Sequence, residues 1–286
     1  MPSEIASKKK KLGHLLEEIF AKEELELGER YKKEPQKKKD VIDNFGNSFS
    51  IKGGKKTQVF LYSLSRLKKD SLLQAIGGNL GEILSKCLEV LPDSRKEYIS
   101  NKRYYKQKLA SAMKDVHAKL CDKVVLKAFW QMSLFNGNEV EFLVLAKPKS
   151  DIDDISSYTF HIFYREDVLR VFEKKIKPDL SKARREGEYE AQKVVFKVTS
   201  DSKNISIGEI EVRTDSDVHY RELKCWLYTP LVLELLKKEI KNVVRLKNKR
   251  TFLYGNAIKK LKEYIKRFGK NKVKRSIFDF CLRNFW

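Results

Sequence analysis

Residues 11–63 decide the fold, and they read KLGHLLEEIFAKEELELGERYKKEPQKKKDVIDNFGNSFSIKGGKKTQVFLYS. Apolar side chains recur at helical spacing from Leu12 to Phe20, which predicts an amphipathic helix over residues 7–27. Pro35 and the lysines after it indicate a loop, because proline blocks helix continuation. The stretch therefore predicts a helix, a loop and then a more apolar, β-rich segment.

A β-hairpin is predicted after the loop. The short apolar segments 40–43 (DVID) and 48–52 (SFSIK) flank an NFGN turn. Asp40 opens the first strand and Lys52 lies on the second, so the turn brings both residues to one edge of the sheet. Glu17, on the preceding helix beside its apolar stripe, is placed to project over that edge.

Two carboxylates beside a lysine suit the hydrolysis of a phosphodiester bond. Mg²⁺ is usually held by one or two carboxylates and several waters. The metal neutralises phosphate charge and lowers the pKa of a bound water, and a nearby cation orients the nucleophile. We therefore expect Asp40 to hold Mg²⁺ with Glu17 as a further ligand, and Lys52 to orient or polarise the attacking water.

The order of these residues resembles the PD-(D/E)XK nuclease superfamily, in particular type II restriction endonucleases. Gly13–Glu17 (GHLLE) matches the family's G-x-x-L/F-E helix, Asp40–Ile42 its first metal-binding strand, and Ser50–Lys52 (SIK) its (D/E)-x-K strand. Ser50 departs from the pattern, since an acid is usual there, and either Asp43 or Glu17 would then supply the missing ligand. The resemblance implies a Mg²⁺-dependent endonuclease that cuts double-stranded DNA at a specific sequence and leaves a 5′-phosphate. It places four residues in the catalytic site: Asp40, Lys52, Glu17 and Ser50.

Each of these residues also has a purely structural interpretation. Glu17 fits a solvated helix face, and Asp40 fits a residue of the hairpin turn. Lys52 fits a general basic patch together with Lys55 and Lys56, which are our first candidates for contact with DNA.

A second candidate site lies in residues 208–228, GEIEVRTDSDVHYRELKCWLY. It contains an intact E-x-K at Glu222–Lys224 with Asp217 upstream, so Asp217, Glu222 and Lys224 form an alternative catalytic set. Two features count against it: Asp217 lies in an apparent turn, and no G-x-x-L-E helix precedes it closely.

Two other roles are open for the same strands. Arg213 and Arg221 suit contact with phosphates or guanine edges of DNA. Alternatively the strands form an exposed sheet face with cross-strand ion pairs, in which Glu209 or Glu211 meets Arg221 or Lys224.

The chain has 286 residues and a net charge of +22, which favours a polyanionic partner. Double-stranded DNA is the predicted partner, and a non-catalytic basic nucleic-acid-binding protein is the alternative function. We find no apolar run of about 18 residues, so no membrane partner is expected. Scattered cysteines and the absence of a signal-peptide pattern favour the cytoplasm.

The rest of the chain predicts an α/β (α+β) fold. A long helix is expected over 95–121, an Asn136-Gly137 hairpin after Val124–Leu134, and three antiparallel strands between 194 and 227. We therefore predict a restriction-endonuclease-like mixed central sheet flanked by helices, with an added antiparallel region near the C-terminus. The predicted domains are 1–146, the nuclease core, and 147–286, for DNA recognition and sheet completion; a single domain and a homodimer or heterodimer subunit are left open.

Overall fold

The structure is a computed structural model, and it describes residues 4–27, 40–43, 46–69, 79–148, 157–182, 190–200, 203–247 and 249–268. The helices are α1 (Glu4–Ile19), which continues as a π-helix over Phe20–Glu24, α2 (Leu64–Lys69), α3 (Leu80–Glu89), α4 (Arg95–Ser100), α5 (Lys102–Leu120), α6 (Lys123–Phe135), α7 (Arg165–Lys175), α8 (Thr229–Glu239) and α9 (Asn256–Phe268). The strands are β1 (Val41–Ile42), β2 (Ser48–Gly53), β3 (Lys56–Tyr62), β4 (Phe142–Pro148), β5 (Tyr158–Tyr164), β6 (Lys177–Leu180), β7 (Lys193–Ser200), β8 (Lys203–Arg213), β9 (Glu222–Tyr228), β10 (Val243–Arg245) and β11 (Thr251–Tyr254).

The chain forms two compact units. Unit 1 comprises Met1–Thr57, Leu134–Leu169 and Thr229–Trp286, and unit 2 comprises Gln58–Ser133 and Arg170–Tyr228. The boundary that we predicted at 146/147 falls beside residues 149–156, which lie outside the described part of the chain. That boundary stays a prediction.

Unit 1 is built on a six-stranded mixed sheet of order β1-β2-β4-β5-β11-β10. β1 runs antiparallel to β2, β2 runs parallel to β4, and β5 runs parallel to β11. One face of the sheet is covered by α1 and its π-helical continuation and by α9, through Phe20, Phe49, Phe142, Phe160 and Leu261. The rings of Phe20 and Phe49 lie 5.5 Å apart and those of Phe49 and Phe142 lie 5.1 Å apart, so aromatic packing anchors α1 on the sheet.

A buried carboxylate fixes the end of the π-helix. Glu24 accepts hydrogen bonds from the backbone N–H of Arg250 at 3.0 Å and from the hydroxyl of Thr251 at 2.7 Å. The guanidinium of Arg250 lies 3.1 Å from the other oxygen of Glu24 and also pairs with Glu23. This pairing compensates the burial of the Glu24 charge and holds the end of the helical segment that carries Glu17.

Unit 2 contains a separate antiparallel sheet of order β3-β9-β8-β7-β6. Its core is aromatic: the ring of Phe196 on β7 lies 4.5 Å from Trp130 and 5.9 Å from Phe129 of α6, and Phe172 of α7 lies 5.2 Å from Trp130. The predicted mixed sheet with flanking helices and a separate antiparallel region is therefore confirmed.

Two local predictions are wrong. The helix expected over 95–121 is two helices, because Asn101 adopts a non-helical backbone (φ −119°, ψ 34°) between α4 and α5. The expected Asn136-Gly137 hairpin is a helix, a turn and a strand. Residues 123–135 are helical, and the left-handed Asn136 (φ 48°) and Gly137 (φ 72°) end that helix and do not join two strands.

The C-terminal third differs from the prediction as well. The sequence pattern predicts a helix over Leu231–Val244, but α8 ends at Glu239, and β10 and β11 follow it as strands that the pattern does not indicate. β11 adds in parallel to β5 in the first sheet, so long-range pairing decides its conformation. The basic, aromatic tail from 269 to 286 lies outside the described residues.

Candidate active site

The carboxylate of Asp40 is the centre of the predicted site. The backbone N–H of Asp40 donates to the carbonyl of Phe49 at 2.9 Å, which extends the β1–β2 ladder by one residue. Three donors of β2 reach Oδ2 of Asp40: the backbone N–H of Ile51 at 2.6 Å, the hydroxyl of Ser50 at 3.1 Å and the ammonium of Lys52 at 3.2 Å. The hairpin thus brings Asp40, Ser50 and Lys52 together.

Glu17 of α1 lies close enough to join this cluster electrostatically. Burial raises the pKa of Glu17, the negative charge of Asp40 raises it further, and His14 and Lys52 act in the opposite direction. Nδ1 of His14 lies 3.3 Å from Oε2 of Glu17. Both carboxylates are only partly accessible, with 18% of the Glu17 side chain and 13% of the Asp40 side chain exposed.

Oδ1 of Asp40 and Oε1 of Glu17 accept no hydrogen bond from any residue that the structure describes. The described residues contain no group of three or more His, Cys, Asp or Glu side chains arranged around a metal position. Two carboxylates would therefore hold Mg²⁺ only together with several of its waters, as Mg²⁺ is usually bound in proteins.

Ser50 and Asp43 occupy structural positions in this arrangement. Ser50 is buried, and its hydroxyl donates to Asp40. Asp43 accepts from the backbone N–H of Asn47 at 2.9 Å and from its side-chain amide at 2.7 Å, which closes the hairpin turn. Glu17 is therefore a better candidate than Asp43 for the carboxylate that replaces the acid missing at residue 50.

The chain matches no protein-family model, no curated protein and no solved structure at a significant level. None of the described helices is long and apolar enough to cross a lipid bilayer.

The second candidate site is a network of ion pairs on one face of β7, β8 and β9. Lys193 lies 2.9 Å from Glu209 and 2.5 Å from Glu211, and Lys224 lies 3.4 Å from Glu211. Trp226 donates its indole N–H to Glu209 at 3.1 Å. The cross-strand pairing that we considered as the structural alternative is present between Glu211 and Lys224.

Glu222 and Asp217 of the second candidate site each have a different partner. Glu222 lies 2.7 Å from His219, and Asp217 accepts from Arg95 at 3.3 Å, so the alternative set Asp217, Glu222 and Lys224 does not converge on one point. Sequence spacing could reveal at most the His219–Glu222 pair, because the partners of Asp217 and Lys224 lie on α4 and β8.

The four predicted DNA contacts divide into two groups. Lys55 and Lys56 are exposed on the loop after β2 and at the start of β3. Arg213 pairs with Asp215 at 3.2 Å, and Arg221 donates to the carbonyl of Leu88 at 3.2 Å and pairs with Asp93. Both guanidinium groups are therefore held by the protein itself.

Two residues near the site were missed in the sequence. His14 contacts Glu17 from one helical turn earlier, and their three-residue spacing on one helix face was the signal for this pair. Gly53 follows Lys52 where α1 approaches β2: a Cβ at this position would lie 2.4 Å from Cδ1 of Leu16. Only the packing of α1 on the sheet reveals the need for glycine there.

Proposed function

We propose that this protein is a Mg²⁺-dependent endonuclease of double-stranded DNA, similar to type II restriction enzymes. The observation that carries the proposal is the cluster in which Lys52 contacts one oxygen of Asp40 while the other oxygen, and one oxygen of nearby Glu17, accept no hydrogen bond from a described residue. An acid–lysine pair on adjacent β-segments, backed by a helix carboxylate, is the arrangement that the sequence resemblance implies. The mixed sheet with α1 on one face is compatible with a restriction-endonuclease-like core.

Each residue has a distinct task in this proposal. Asp40 and Glu17 would hold Mg²⁺, which supplies neutralisation of phosphate charge and acidification of a bound water. The backbone N–H of Ile51 and the hydroxyl of Ser50 orient the Asp40 carboxylate through hydrogen bonds to its Oδ2. Lys52 orients the attacking water and meets the negative charge that develops on the phosphate.

The reaction is a displacement at phosphorus. Water attacks the phosphorus atom and gives up a proton, the bond between phosphorus and the 3′-oxygen breaks, and the leaving 3′-oxygen takes up a proton. The products are a 5′-phosphate and a 3′-hydroxyl, as in the enzymes that the motif resembles. Because one site of this kind cuts one strand, cleavage of both strands suits a homodimer or a heterodimer subunit. The net charge of +22 favours association with the phosphates of duplex DNA.

The test is digestion of a sequenced phage genome with the purified chain, in Mg²⁺ and in EDTA. Discrete fragments in Mg²⁺ alone support a sequence-specific endonuclease, and we expect Asp40→Ala and Lys52→Ala each to abolish them while duplex binding in EDTA persists. Intact DNA with salt-sensitive binding would instead support a non-catalytic nucleic-acid-binding protein. Cleavage by Asp40→Ala but not by Glu222→Ala would move the active site to residues 217–224.

A further inference from the structure

The exposed face of α5 carries a concentration of positive charge that the described part of unit 2 does not neutralise. Between Tyr98 and Lys114 the sequence contains five basic residues and no acidic one. Lys102, Arg103, Lys108 and Lys114 are exposed, and none of them forms an ion pair with a described residue. These four side chains favour a polyanionic partner because no described carboxylate is paired with them, including the exposed Asp115 that follows Lys114.

Packing holds this face outward. The side of α5 opposite Arg103, Lys108 and Lys114 is buried through Leu109, Met113 and Val116, so the helix cannot rotate without exposing apolar surface. Lys102 lies in the first turn, before this buried stripe begins. Near its start the hydroxyl of Tyr105 donates to Glu97 of α4, and the ring of Tyr105 lies 6.3 Å from that of Tyr98. The basic side chains thus project from a fixed helix.

An aromatic side chain lies within the basic face. Tyr104 is 52% exposed, and the ammonium of Lys108 lies 4.4 Å from the centre of its ring. From Lys102 to Lys114 the helix advances roughly 18 Å. One DNA strand carries a charge about every 3.4 Å along the duplex axis, so a face of this length meets several phosphates.

The basic residues of β7, β8, β9 and the turn before β9 differ from those of α5 because they are already paired with carboxylates of the protein. Arg213 and Arg221 are paired with Asp215 and Asp93, and Lys193 and Lys224 are paired with glutamates on neighbouring strands. A phosphate at these positions would have to displace an existing carboxylate partner. At Lys102, Arg103, Lys108 and Lys114 it would meet cations that have no described carboxylate to lose.

We propose that the exposed face of α5, defined by Lys102, Arg103, Tyr104, Lys108 and Lys114, binds the sugar–phosphate backbone of duplex DNA. This inference rests on the proposed function for the identity of the partner, but it concerns binding and not cleavage. Contacts of this kind set affinity and position the duplex without reading its sequence.

The test compares two triple variants that remove the same charge. The first is Lys102→Gln, Arg103→Gln, Lys108→Gln on α5. The control, Lys123→Gln, Lys174→Gln, Lys177→Gln, removes three other exposed lysines of unit 2. Binding to a fluorescent duplex is measured by anisotropy in EDTA over a series of salt concentrations, and circular dichroism checks that each variant is folded.

We expect the α5 variant to reduce the slope of log K against log salt by roughly 2.7, one phosphate contact being lost for each charge, and the control to leave the slope nearly unchanged. An equal loss of slope in both variants, or none in the α5 variant, would overturn the proposal. Failure of the wild-type chain to bind duplex DNA would also overturn it, as would stronger competition by an acidic polypeptide than by DNA.

Cleavage separates this inference from the proposed function. If the wild-type chain cuts DNA in Mg²⁺ and the α5 variant binds and cuts normally, the α5 proposal fails and the endonuclease stands. If the chain binds DNA through α5 and leaves it intact in Mg²⁺, the α5 proposal stands and the endonuclease fails.

Discussion

The ammonium of Lys52 lies 3.2 Å from Oδ2 of Asp40, and the same oxygen accepts the backbone N–H of Ile51 at 2.6 Å. Both side chains are partly exposed, 22% for Lys52 and 13% for Asp40, so the pair reaches solvent while the hydrogen bonds from β2 orient the carboxylate. Lys52 thereby differs from Lys55, which lies exposed on the loop three residues later.

This contact predicts different outcomes for the two neighbouring lysines. Lys52→Met should reduce the rate of DNA cleavage by about 10²-fold or more, the loss typical when one stabilising donor is removed from an active site. Lys55→Met removes the same charge from an exposed position and should leave the rate within a few-fold of wild type. Single-turnover cleavage of a plasmid measures both, and equal losses in the two variants would contradict a catalytic role for Lys52.

The ionised form of Glu17 is predicted to lower the free energy of unfolding, although the same carboxylate would hold Mg²⁺ in the proposed function. Because burial and the charge of Asp40 raise the pKa of Glu17, the folded state binds its proton more tightly than the unfolded state. The free energy of unfolding therefore decreases as the pH rises through the raised pKa. We expect Glu17→Gln to have a higher Tm than wild type above that pH, no such gain at acidic pH, and no Mg²⁺-dependent cleavage.

Glu18→Gln is the matched control for this variant. Glu18 is about half exposed and lies 2.6 Å from Lys22, so its replacement should lower the Tm slightly or leave it unchanged and should preserve cleavage. A Glu17→Gln protein that is less stable than wild type at neutral pH would contradict the electrostatic argument.

The close approach of α1 to β2 predicts opposite effects at two glycines. Gly53→Ala would bring its new methyl group against buried Leu16 and should destabilise the protein by about 1–3 kcal/mol through overpacking. Gly13 lies within α1, and a methyl group added there would meet none of the described residues within 4 Å. Gly13→Ala should therefore stabilise the protein by up to about 1 kcal/mol.

Urea unfolding measures both changes, and cleavage assays test their link to the active site. Since Leu16 precedes Glu17, we expect Gly53→Ala to reduce the cleavage rate more than it reduces duplex binding. A stable Gly53→Ala variant with normal cleavage would show that α1 adapts without moving Glu17.

Replacement of the buried Glu24 is predicted to lower the free energy of unfolding strongly. Glu24→Ala leaves the Arg250 guanidinium without its buried partner and should cost about 3–5 kcal/mol. Glu23→Ala removes an exposed partner of the same arginine and should cost no more than about 1 kcal/mol. Chemical denaturation compares the two, and similar losses would mean that Glu24 contributes no more than a surface ion pair.

The burial of His161 is predicted to make the free energy of unfolding depend on pH. It lies buried on β5, where its Nδ1 is 3.0 Å from the hydroxyl of Tyr254. Burial lowers the pKa of His161 to about 4, and the positive charges of Lys237 and Lys147 contribute to this shift, opposed by Glu234. The unfolded state therefore takes up a proton near pH 6.5, while the folded state does not until about pH 4.

Because the unfolded state binds more protons in that window, the free energy of unfolding should fall as the pH falls, by about 1.4 kcal/mol per pH unit from this residue. His161→Gln should remove this part of the slope, although it lowers stability at neutral pH. The control His219→Gln, at a side chain that is 40% exposed, should retain the slope. Unfolding titrations at several pH values test this, and a wild-type slope in His161→Gln would contradict the assignment.

Local sequence determined the elements that carry the proposed site. Leu12, Leu16 and Phe20 predict α1 because their spacing forms one apolar stripe, and the NFGN turn between two short apolar segments predicts the β1–β2 hairpin. Asp40 and Lys52 meet because they lie on these two segments. Such short-range patterns need no knowledge of the rest of the chain.

Longer-range features were not accessible in the same way. The segment after α8 becomes β10 and β11 only because β5 offers an edge for parallel pairing. The ion pairs of Lys193, Arg213 and Arg221 depend on which residues the sheet and the turns place beside them. These pairings distinguish the engaged arginines of unit 2 from the basic face of α5.

The sequence by itself determined the helix, the hairpin, the excess positive charge and the chemical types gathered around Asp40, because each depends on composition or on neighbours close along the chain. Only the tertiary structure decided that β2 lies between β1 and β4, that Gly53 must be small against Leu16, and that Asp40 and Glu17 each keep one oxygen free of the described donors. The physical reason is that packing, burial and ion pairing depend on residues that are distant in sequence and adjacent in space.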